Sequence, residues 1–570
     1  MEMKKFSELP CERPQKSDVI NGAKAAVRRM KAAKSYDEFR SGMMEAQRIL
    51  SHFHTQSSLA HIRHTIDTSD KFYEAEQKFF DDTEPQLMPM MMKYAKAIVK
   101  SPFKAELAKE FGEHYITIQE SNLKKMSVKL IVPMQRENAL TREYEKLLAT
   151  CKVEFNGESC NLSGLRKYLQ DPDREVRKAA SHAISGFLSD NSQKLDELYD
   201  KLVKLRTKMG RSMGYKTYTP LGYLNMERYS YTAEDVKRFR EQVVQDIVPV
   251  CTELRKRQAA RIGVDEIYDY DEAFMFTDGN ATPHGTVDEM VSAAQRMYRE
   301  LSKETGEFFD FMVEYEMMDL VNRPNKRVGG YCTDLFEYKA PFIFSNFNGT
   351  SADVDVLTHE AGHAFAGISA TKHVELLEAM FPTLETCEIH SMSMEFFTHP
   401  WMELFFGDAA DKYRYSHLLE SLLFIPYGVC VDEFQHIVYE NPGMTPAERK
   451  AAWHELEAKY LPHRHSDDEY YAAGGFWQKQ HHIYSLPFYY IDYCLASMGA
   501  FEFFSKMRED KAAAWEDYYR LCCAGGLKPY RQLLRESHLA DPFEPGGVKR
   551  AVAAGVKVLY DTDDTALQKN

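Results

Sequence analysis

The stretch "VLTHEAGHAF", residues Val356–Phe365, carries two histidines four positions apart and a glutamate directly after the first. On an α-helix, residues four apart lie on one face, so His359 and His363 can reach the same ion. Glu360 lies about 100° further round the helix, where its carboxyl can contact a metal-bound water rather than the metal. The stretch therefore predicts a helix with a zinc site, because zinc favours two imidazoles, one carboxylate and a fourth position for water.

A zinc site of this kind needs a third protein ligand, which the motif itself does not supply. In a metzincin, a glycine lies three residues after the second motif histidine and a further histidine lies three residues beyond it. Here those two positions are Ala366 and Ser369. A second helix packed antiparallel to the first is the expected source. In "ETCEIHSMSMEFF", Glu388 and Glu395 share a face, so one can bind the metal while the other orients a histidine. The residues alone leave five candidates: Glu375, Glu378, Glu385, Glu388 and Glu395.

The stretch before the motif, "GGYCTDLFEYKAPFIFSNFNGT" (residues 329–350), combines glycines, aromatic residues and β-formers, and it predicts strands. Its part "PFIFSNFNGT" is interpreted as an edge strand beside the metal, which would bind a peptide as an additional strand. Gly329 and Gly330 would allow close backbone approach, and Gly362 would leave room for a strand or substrate. A plain structural sheet is the alternative interpretation.

Most of the remaining sequence has apolar residues at helical spacing, so we expect a mainly α fold with a small β-sheet beside the site. Two short polar-flanked strands around Asn156-Gly157 predict a hairpin. A capping Asp171 followed by Pro172 predicts that a helix begins there.

The composition is that of a globular protein: 570 residues, 44% hydrophobic and 28% charged. A formal net charge of −14 argues against a nucleic-acid partner, because phosphate contacts need a basic surface. Ten scattered cysteines without a C-x-x-C pair indicate reduced thiols. With no secretion signal and no run that could span a bilayer, we expect a cytoplasmic protein without a membrane partner. We expect a helical N-terminal lobe over residues 1–210, which includes the hairpin, and a catalytic lobe over residues 211–570, with interleaved lobes.

Four segments together resemble the thimet oligopeptidase and oligoendopeptidase F family of zinc peptidases, nearest to its bacterial oligoendopeptidase and Pz-peptidase branch. They are the three stretches quoted above and "HHIYSLPFYYIDY", and they occur in the family's order. The resemblance implies one Zn²⁺ ion whose third ligand lies 29 residues after His359, at Glu388, which leaves Glu395 to orient a histidine. It also implies a mostly helical, neurolysin-like fold with two lobes around a deep channel that admits peptides but not folded proteins.

The segment "HHIYSLPFYYIDY" holds hydroxyl and imidazole groups that can donate hydrogen bonds to an oxyanion, although an aromatic core helix is the alternative. The resemblance implies a histidine followed at nine and twelve residues by tyrosines that contact the transition state. From His481 these are Tyr490 and Tyr493. The adjacent His482 remains open as the histidine that faces the site. The thimet oligopeptidase branch has a tyrosine where this sequence has Leu486, so the match to that branch is incomplete.

The sequence thus predicts a zinc oligoendopeptidase that hydrolyses internal bonds of short unstructured peptides, with Glu360 as general base and Tyr490 and His481 as catalytic hydrogen-bond donors. Residues expected to contact the substrate are His482, Tyr493, Gly329 and Gly330. An end-specific zinc exopeptidase is the alternative enzyme, and the positions of cleavage would separate the two. A helical binding protein with an inactive metal site is the third hypothesis, which Glu360 disfavours because a structural zinc site does not need it.

Overall fold

The computed structural model describes residues 3–327 and 329–568. Helices make up most of this length, and strands form two small sheets. The mainly α fold with a small β-sheet is therefore confirmed.

The helices and strands, in chain order, have the following bounds. The helices are α1 (Lys16–Ala32), α2 (Tyr36–Ile66), α3 (Lys71–Val99), α4 (Lys104–Phe111), α5 (Glu113–Lys125), α6 (Ile131–Ala149), α7 (Leu162–Arg166), α8 (Arg174–Asp190), α9 (Ser192–Ser212), α10 (Thr219–Asn225), α11 (Ala233–Asp246), α12 (Val248–Ile262), α13 (Val287–Leu301), α14 (Lys303–Glu314), α15 (Ala352–Ala370), α16 (Leu384–Phe397), α17 (Glu403–Phe406), α18 (Ala410–Glu440), α19 (Pro446–Tyr460), α20 (Glu469–Ala472), α21 (His481–Ser485), α22 (Tyr490–Glu509), α23 (Lys511–Ala524), α24 (Tyr530–Glu536) and α25 (Gly547–Asp561). The strands are β1 (Val153–Phe155), β2 (Glu158–Cys160), β3 (Met318–Val321), β4 (Tyr331–Leu335) and β5 (Ala340–Phe347).

Strands β1 and β2 form the predicted hairpin, in which they pair antiparallel. Its two turn residues, Asn156 and Gly157, both have positive φ, at 49° and 80°. Two-residue hairpin turns of this kind favour Asn-Gly because both positions need left-handed backbone. The local sequence therefore determines this hairpin.

The second sheet has the order β3-β5-β4, with β3 parallel and β4 antiparallel to the central strand β5. The interpretation of "PFIFSNFNGT" as an edge strand was therefore wrong, since most of it is β5. Phe342, Ile343 and Phe344 are all buried, and a continuous apolar run is typical of a strand covered on both faces. The outer strand on the side of the motif helix is β4, which follows Gly329 and Gly330.

Helix α8 begins two residues later than predicted. Its N-cap is Asp173, whose carboxylate accepts the backbone N–H of Glu175 at 2.9 Å. Asp171 instead accepts the N–H of Asp173 at 2.9 Å, a local turn that competes with helical capping. The predicted cap at Asp171 was wrong for this reason.

The chain divides into two compact units, each built from three segments. Unit 1 comprises Met1–Val128, Thr282–Ala410 and Glu502–Leu539, and unit 2 comprises Lys129–Ala281, Asp411–Phe501 and Ala540–Asn570. The boundary expected between residues 210 and 211 lies inside unit 2. The motif helix α15, its neighbour α16 and the three-stranded sheet belong to unit 1, whereas the segment from His481 to Tyr493 belongs to unit 2.

Candidate metal and substrate site

Helix α15 carries the predicted motif and is tied to the end of the central strand β5. Asp353, in its first turn, accepts the backbone N–H groups of Asn348 at 2.9 Å and Gly349 at 2.7 Å. A carboxylate in the first turn also interacts favourably with the positive end of the helix dipole. These hydrogen bonds fix the start of the motif helix to the segment that directly follows the buried strand β5.

The two motif histidines and Glu388 lie together where α15 faces α16. The imidazole centroids are 4.9 Å apart. Glu388 Oε2 lies 3.3 Å from His359 Nε2 and 3.6 Å from His363 Nε2. One ligand atom from each residue lies within 4.8 Å of the other two, and among the described residues no other group of this kind is found. Two imidazoles and a carboxylate fit the ligand set of zinc.

Glu395 fixes the orientation of one of these histidines. Its Oε1 lies 2.6 Å from His359 Nδ1. Because Nδ1 is engaged by this carboxylate, Nε2 is the ring nitrogen directed toward Glu388 and able to bind a metal. The structure thus places Glu395 beside the ligand set, with its carboxylate on the histidine rather than on the ion.

Glu395→Ala should weaken zinc affinity by about 10- to 100-fold, the usual cost of losing a partner that orients a metal ligand. Glu395→Gln keeps a hydrogen-bond acceptor for His359 Nδ1, so its affinity should fall less. Competition with a zinc chelator measures both. Equal affinity for the parent and Glu395→Ala would show that this contact does not orient the ligand.

Gly362 lies between the two histidines and allows α15 and α16 to pack closely. A Cβ at this position would lie 2.6 Å from Ser391 Cα and 2.8 Å from the carbonyl oxygen of His390. The close approach predicted from this glycine therefore involves a neighbouring helix, not a strand or substrate. Because both atoms belong to the α16 backbone near Glu388, this packing brings the third carboxylate to the histidines.

Glu360 is buried, with 8% of its surface exposed, and it is not one of the three clustered ligands. A Cβ on Gly330 would lie 3.7 Å from Glu360 Oε1 and 3.3 Å from Val356 Cγ1. The missing side chain at Gly330 thus leaves space over the carboxyl. Burial raises the pKa of Glu360, although the neighbouring histidines oppose this shift.

The electrostatics of the cluster favour a positive charge between its carboxylates. Burial opposes a charged His359 ring, but hydrogen bonds with Glu388 and Glu395 raise its pKa well above the usual value. Burial likewise opposes the ionised form of Glu388, yet hydrogen bonds with His359 and His363 hold its pKa well below the usual value. An ionised carboxylate is costly to bury unless it is paired, and a divalent metal bound here would supply the pairing charge.

In unit 2, His482 lies at the centre of a group of tyrosines. Its ring stacks on Tyr489 with centroids 5.6 Å apart. Tyr490 and Tyr493 meet it edge-on at 5.0 Å and 6.0 Å. By contrast, His481 lies 6.2 Å from the ring of Tyr144, and its Nε2 is 3.9 Å from Glu145 Oε1. The structure therefore brings His482 together with the predicted tyrosines, and His481 is directed toward α6.

In the orientation that the structure gives the Gln480 amide, its hydrogen bonds place the proton of a neutral His482 ring on Nε2. Tyr427 Oη donates to Gln480 Oε1 at 2.8 Å, so the other end of that amide, Nε2, is the donor. Gln480 Nε2 lies 2.9 Å from His482 Nδ1 and donates to it. The proton of the neutral ring is then on Nε2. Sequence reasoning singled out neither Gln480 nor Tyr489, which contact His482, nor Tyr427, which contacts Gln480. Gln480 and Tyr489 nevertheless lie next to residues that it singled out.

Two further expectations concern the whole chain. All ten cysteines are free thiols, as their spacing indicated. In the described part of the chain, no helix has the length and apolar character needed to cross a membrane.

The chain matches two family models over most of its length. The Peptidase M3 N-terminal domain matches residues 6–126, and Peptidase family M3 matches residues 167–551. Among curated proteins there is no match. The solved structure "PZ peptidase A with inhibitor 2" is 48% identical, with a TM-score of 0.95, and the match covers 98% of this chain and 100% of that one.

Two other solved structures are similarly close. A chain described as "putative Oligoendopeptidase F" is 49% identical with a TM-score of 0.95, over 99% of this chain and 100% of its own length. A second chain so described, from Bacillus anthracis strain Ames, is 45% identical with a TM-score of 0.91, again over 99% and 100%. The family match covers more than half of this chain and includes both motif helices, so the chain belongs to peptidase family M3 and is a metallo-oligopeptidase.

Proposed function

We propose that this peptidase uses one zinc ion, held by His359, His363 and Glu388, to hydrolyse internal bonds of short unstructured peptides. The observation that carries the proposal is the approach of the three ligand atoms to within 4.8 Å of one another on two buried helices. Zinc held there would polarise the scissile carbonyl and lower the pKa of a water molecule.

Glu360 acts as the general base. It follows His359 directly, so its carboxyl lies beside the ligand cluster without belonging to it. It takes a proton from the attacking water and later gives it to the leaving amine. Burial raises its pKa, which makes the carboxylate a stronger base toward the attacking water.

We assign to His482, Tyr490 and Tyr493 the role of donating hydrogen bonds to the substrate, and to Tyr490 and His482 that of stabilising the developing oxyanion. The proposal moves the catalytic histidine role expected for His481 to His482, because His482 contacts the tyrosines and carries its proton on Nε2. Burial raises the pKa of Tyr490, so its hydroxyl keeps its proton at neutral pH.

The names of the similar structures, a Pz-peptidase and oligoendopeptidase F chains, support this substrate class. The absence of side chains at Gly329 and Gly330 also supports it. We propose that the outer strand β4 contacts the peptide backbone, which would make cleavage tolerant of side chains. We also propose a cytoplasmic location and no nucleic-acid partner, in keeping with the net charge of −14.

Mass spectrometry of a peptide mixture of graded length, together with one unfolded protein, tests this function. The zinc-loaded enzyme should make internal cuts, and it should do so only in the short peptides. Removal of one or two residues from an end would favour the exopeptidase, and cleavage of the long chain would contradict the length limit. If nothing were cleaved, a binding protein would be the better interpretation.

Gln480→Glu should lower kcat at neutral pH by about 100-fold, the lower value for loss of one oxyanion donor. A carboxylate only accepts hydrogen bonds, so it would draw the His482 proton onto Nδ1 and remove it from Nε2. Acidification that protonates both ring nitrogens should restore part of kcat, which a pH profile would detect.

Gln77→Glu is the control for this change. Gln77 Oε1 lies 3.2 Å from His61 Nδ1 in unit 1, so a carboxylate there keeps an acceptor for that nitrogen and moves no ring proton. Its pH profile should equal that of the parent. An unchanged profile for Gln480→Glu as well would remove His482 Nε2–H from the proposed chemistry.

A further inference from the structure

Phe488, in the tyrosine segment of unit 2, has an unusual backbone conformation. Its φ is +71°, in the left-handed region that residues with bulky side chains rarely adopt. It lies between the end of α21 at Ser485 and the start of α22 at Tyr490. Such a conformation persists only when the surrounding structure holds it, and residues of this kind cluster at functional sites.

Hydrogen bonds hold both peptide groups of this turn. The backbone N–H of Phe488 donates to Gln435 Oε1 at 2.7 Å. Its carbonyl oxygen accepts from Arg228 Nη2, and the same nitrogen lies 3.1 Å from Asp492 Oδ1. The side chains of Arg228 and Asp492 have no exposed surface. The turn is therefore joined to the first turn of α22 through a buried ion pair.

The ring of Phe488 is fully buried. The rings of His436, Tyr439 and Tyr223 lie 4.9, 5.4 and 5.5 Å from its centroid. A Cβ on Gly222 would lie 2.6 Å from Phe488 Cδ2, so only glycine leaves room for the ring. We name the group that holds the turn the Phe488 clamp, and its members are Gly222, Arg228, Gln435 and Asp492.

We infer that the Phe488 clamp positions the tyrosine segment for the chemical step of peptide hydrolysis. This rests on the proposed function, in which Tyr490 and His482 donate hydrogen bonds to the substrate. The ion pair between Arg228 and Asp492 holds the first turn of α22, which also carries Tyr490 and Tyr493. The clamp therefore fixes the rotation of α22 about its axis and the direction of the two tyrosine hydroxyls. The turn at Phe488 also sets the angle between α22 and α21, which carries His482. The clamp residues are positioning residues that act through these side chains.

Gly222→Ala tests the inference by displacing the Phe488 ring. Gly547→Ala is the matched control, since its Cβ would lie 2.4 Å from the carbonyl oxygen of Asp541, in the same unit but not on α21 or α22. We expect Gly222→Ala to lower kcat by about 10- to 100-fold through misplacement of catalytic groups, with unchanged zinc content. Gly547→Ala should lose thermal stability and keep the parent kcat, which separates positioning from general destabilisation.

Gln435→Met is a second variant that introduces no clash. It removes the acceptor of the Phe488 N–H while keeping the length of the side chain, and kcat should again fall with zinc content unchanged. If Gly222→Ala does not fold, the kcat and zinc content of Gln435→Met test the inference instead. Parent values of kcat in the folded clamp variants would overturn the inference.

Tyr490→Phe separates failure of the inference from failure of the proposed function. If Tyr490→Phe lowers kcat and the clamp variants do not, the tyrosine role stands and the clamp has no part in it. If Tyr490→Phe and the clamp variants all keep the parent kcat, the proposed role of the segment fails, and the inference fails with it. If the clamp variants lose kcat and Tyr490→Phe keeps the parent value, the inference that the clamp acts by positioning Tyr490 is also overturned.

Discussion

Glu360→Gln should retain one zinc ion per chain and lose about 10²- to 10⁴-fold in kcat, the range for general acid–base catalysis. Glutamine has nearly the same shape as glutamate but cannot take a proton from water at neutral pH. The ligand cluster does not include Glu360, so binding of the metal should not depend on its charge. Hydrolysis of an internally quenched peptide gives kcat, and emission spectrometry gives the zinc content.

Glu378→Gln is a suitable control because it also neutralises a glutamate of unit 1, in this case a partly buried one. The Glu378 carboxylate accepts from Gln47 Nε2 at 2.5 Å and from Gln119 Nε2 at 3.1 Å, and burial raises its pKa. Its kcat should stay near that of the parent. Normal turnover by Glu360→Gln would exclude Glu360 as the base, whereas loss of its zinc would indicate a structural role.

The first two ligands could be predicted from sequence because their geometry is local. A spacing of four residues brings His359 and His363 to one face of an α-helix, whatever packs around that helix. The third ligand depends on the distance and rotation of a second helix, which periodicity does not give. The residues alone therefore left five glutamates open, and the family resemblance was needed to choose Glu388.

The same distinction explains the errors in the fold. The turn at Asn156 and Gly157 was predictable because positive φ is a property of the two residues themselves. The position of β5 in the sheet was not, since a strand becomes central or outer according to which segments pair with it. Its apolar run was a usable signal of burial on both faces, and the interpretation as an edge strand did not use it.

The histidine pair could not be assigned from spacing. The nine-residue spacing from His481 to Tyr490 came from the family resemblance, which left His482 open. Spacing does not show which ring faces Tyr490, because the chain between them passes through the left-handed turn at Phe488. The structure instead places the ring of His482 against Tyr489 and Tyr490. A bulky residue with positive φ has no sequence signature, because tertiary contacts impose it.

Gly362→Ala is expected to lower zinc affinity by at least about 100-fold, the upper end for loss of a ligand-orienting contact. The new Cβ would lie 2.6 Å from Ser391 Cα, a separation that only movement of the backbone can relieve. The displaced part of α16 carries Glu388, and metal–ligand distances tolerate deviations of only about 0.2 Å. Overpacking of this kind also costs about 1–3 kcal/mol in free energy of unfolding.

Gly186→Ala is the matched control, since Gly186 also lies within a helix, α8, and its Cβ would meet no atom within 4 Å. Alanine there should stabilise the helix by up to about 1 kcal/mol and leave zinc affinity unchanged. Chelator competition and thermal unfolding with and without zinc measure both variants. Parent-like zinc affinity in Gly362→Ala would mean that the third ligand reaches the histidines by side-chain adjustment, so that close packing of α15 and α16 would not be what builds the metal site.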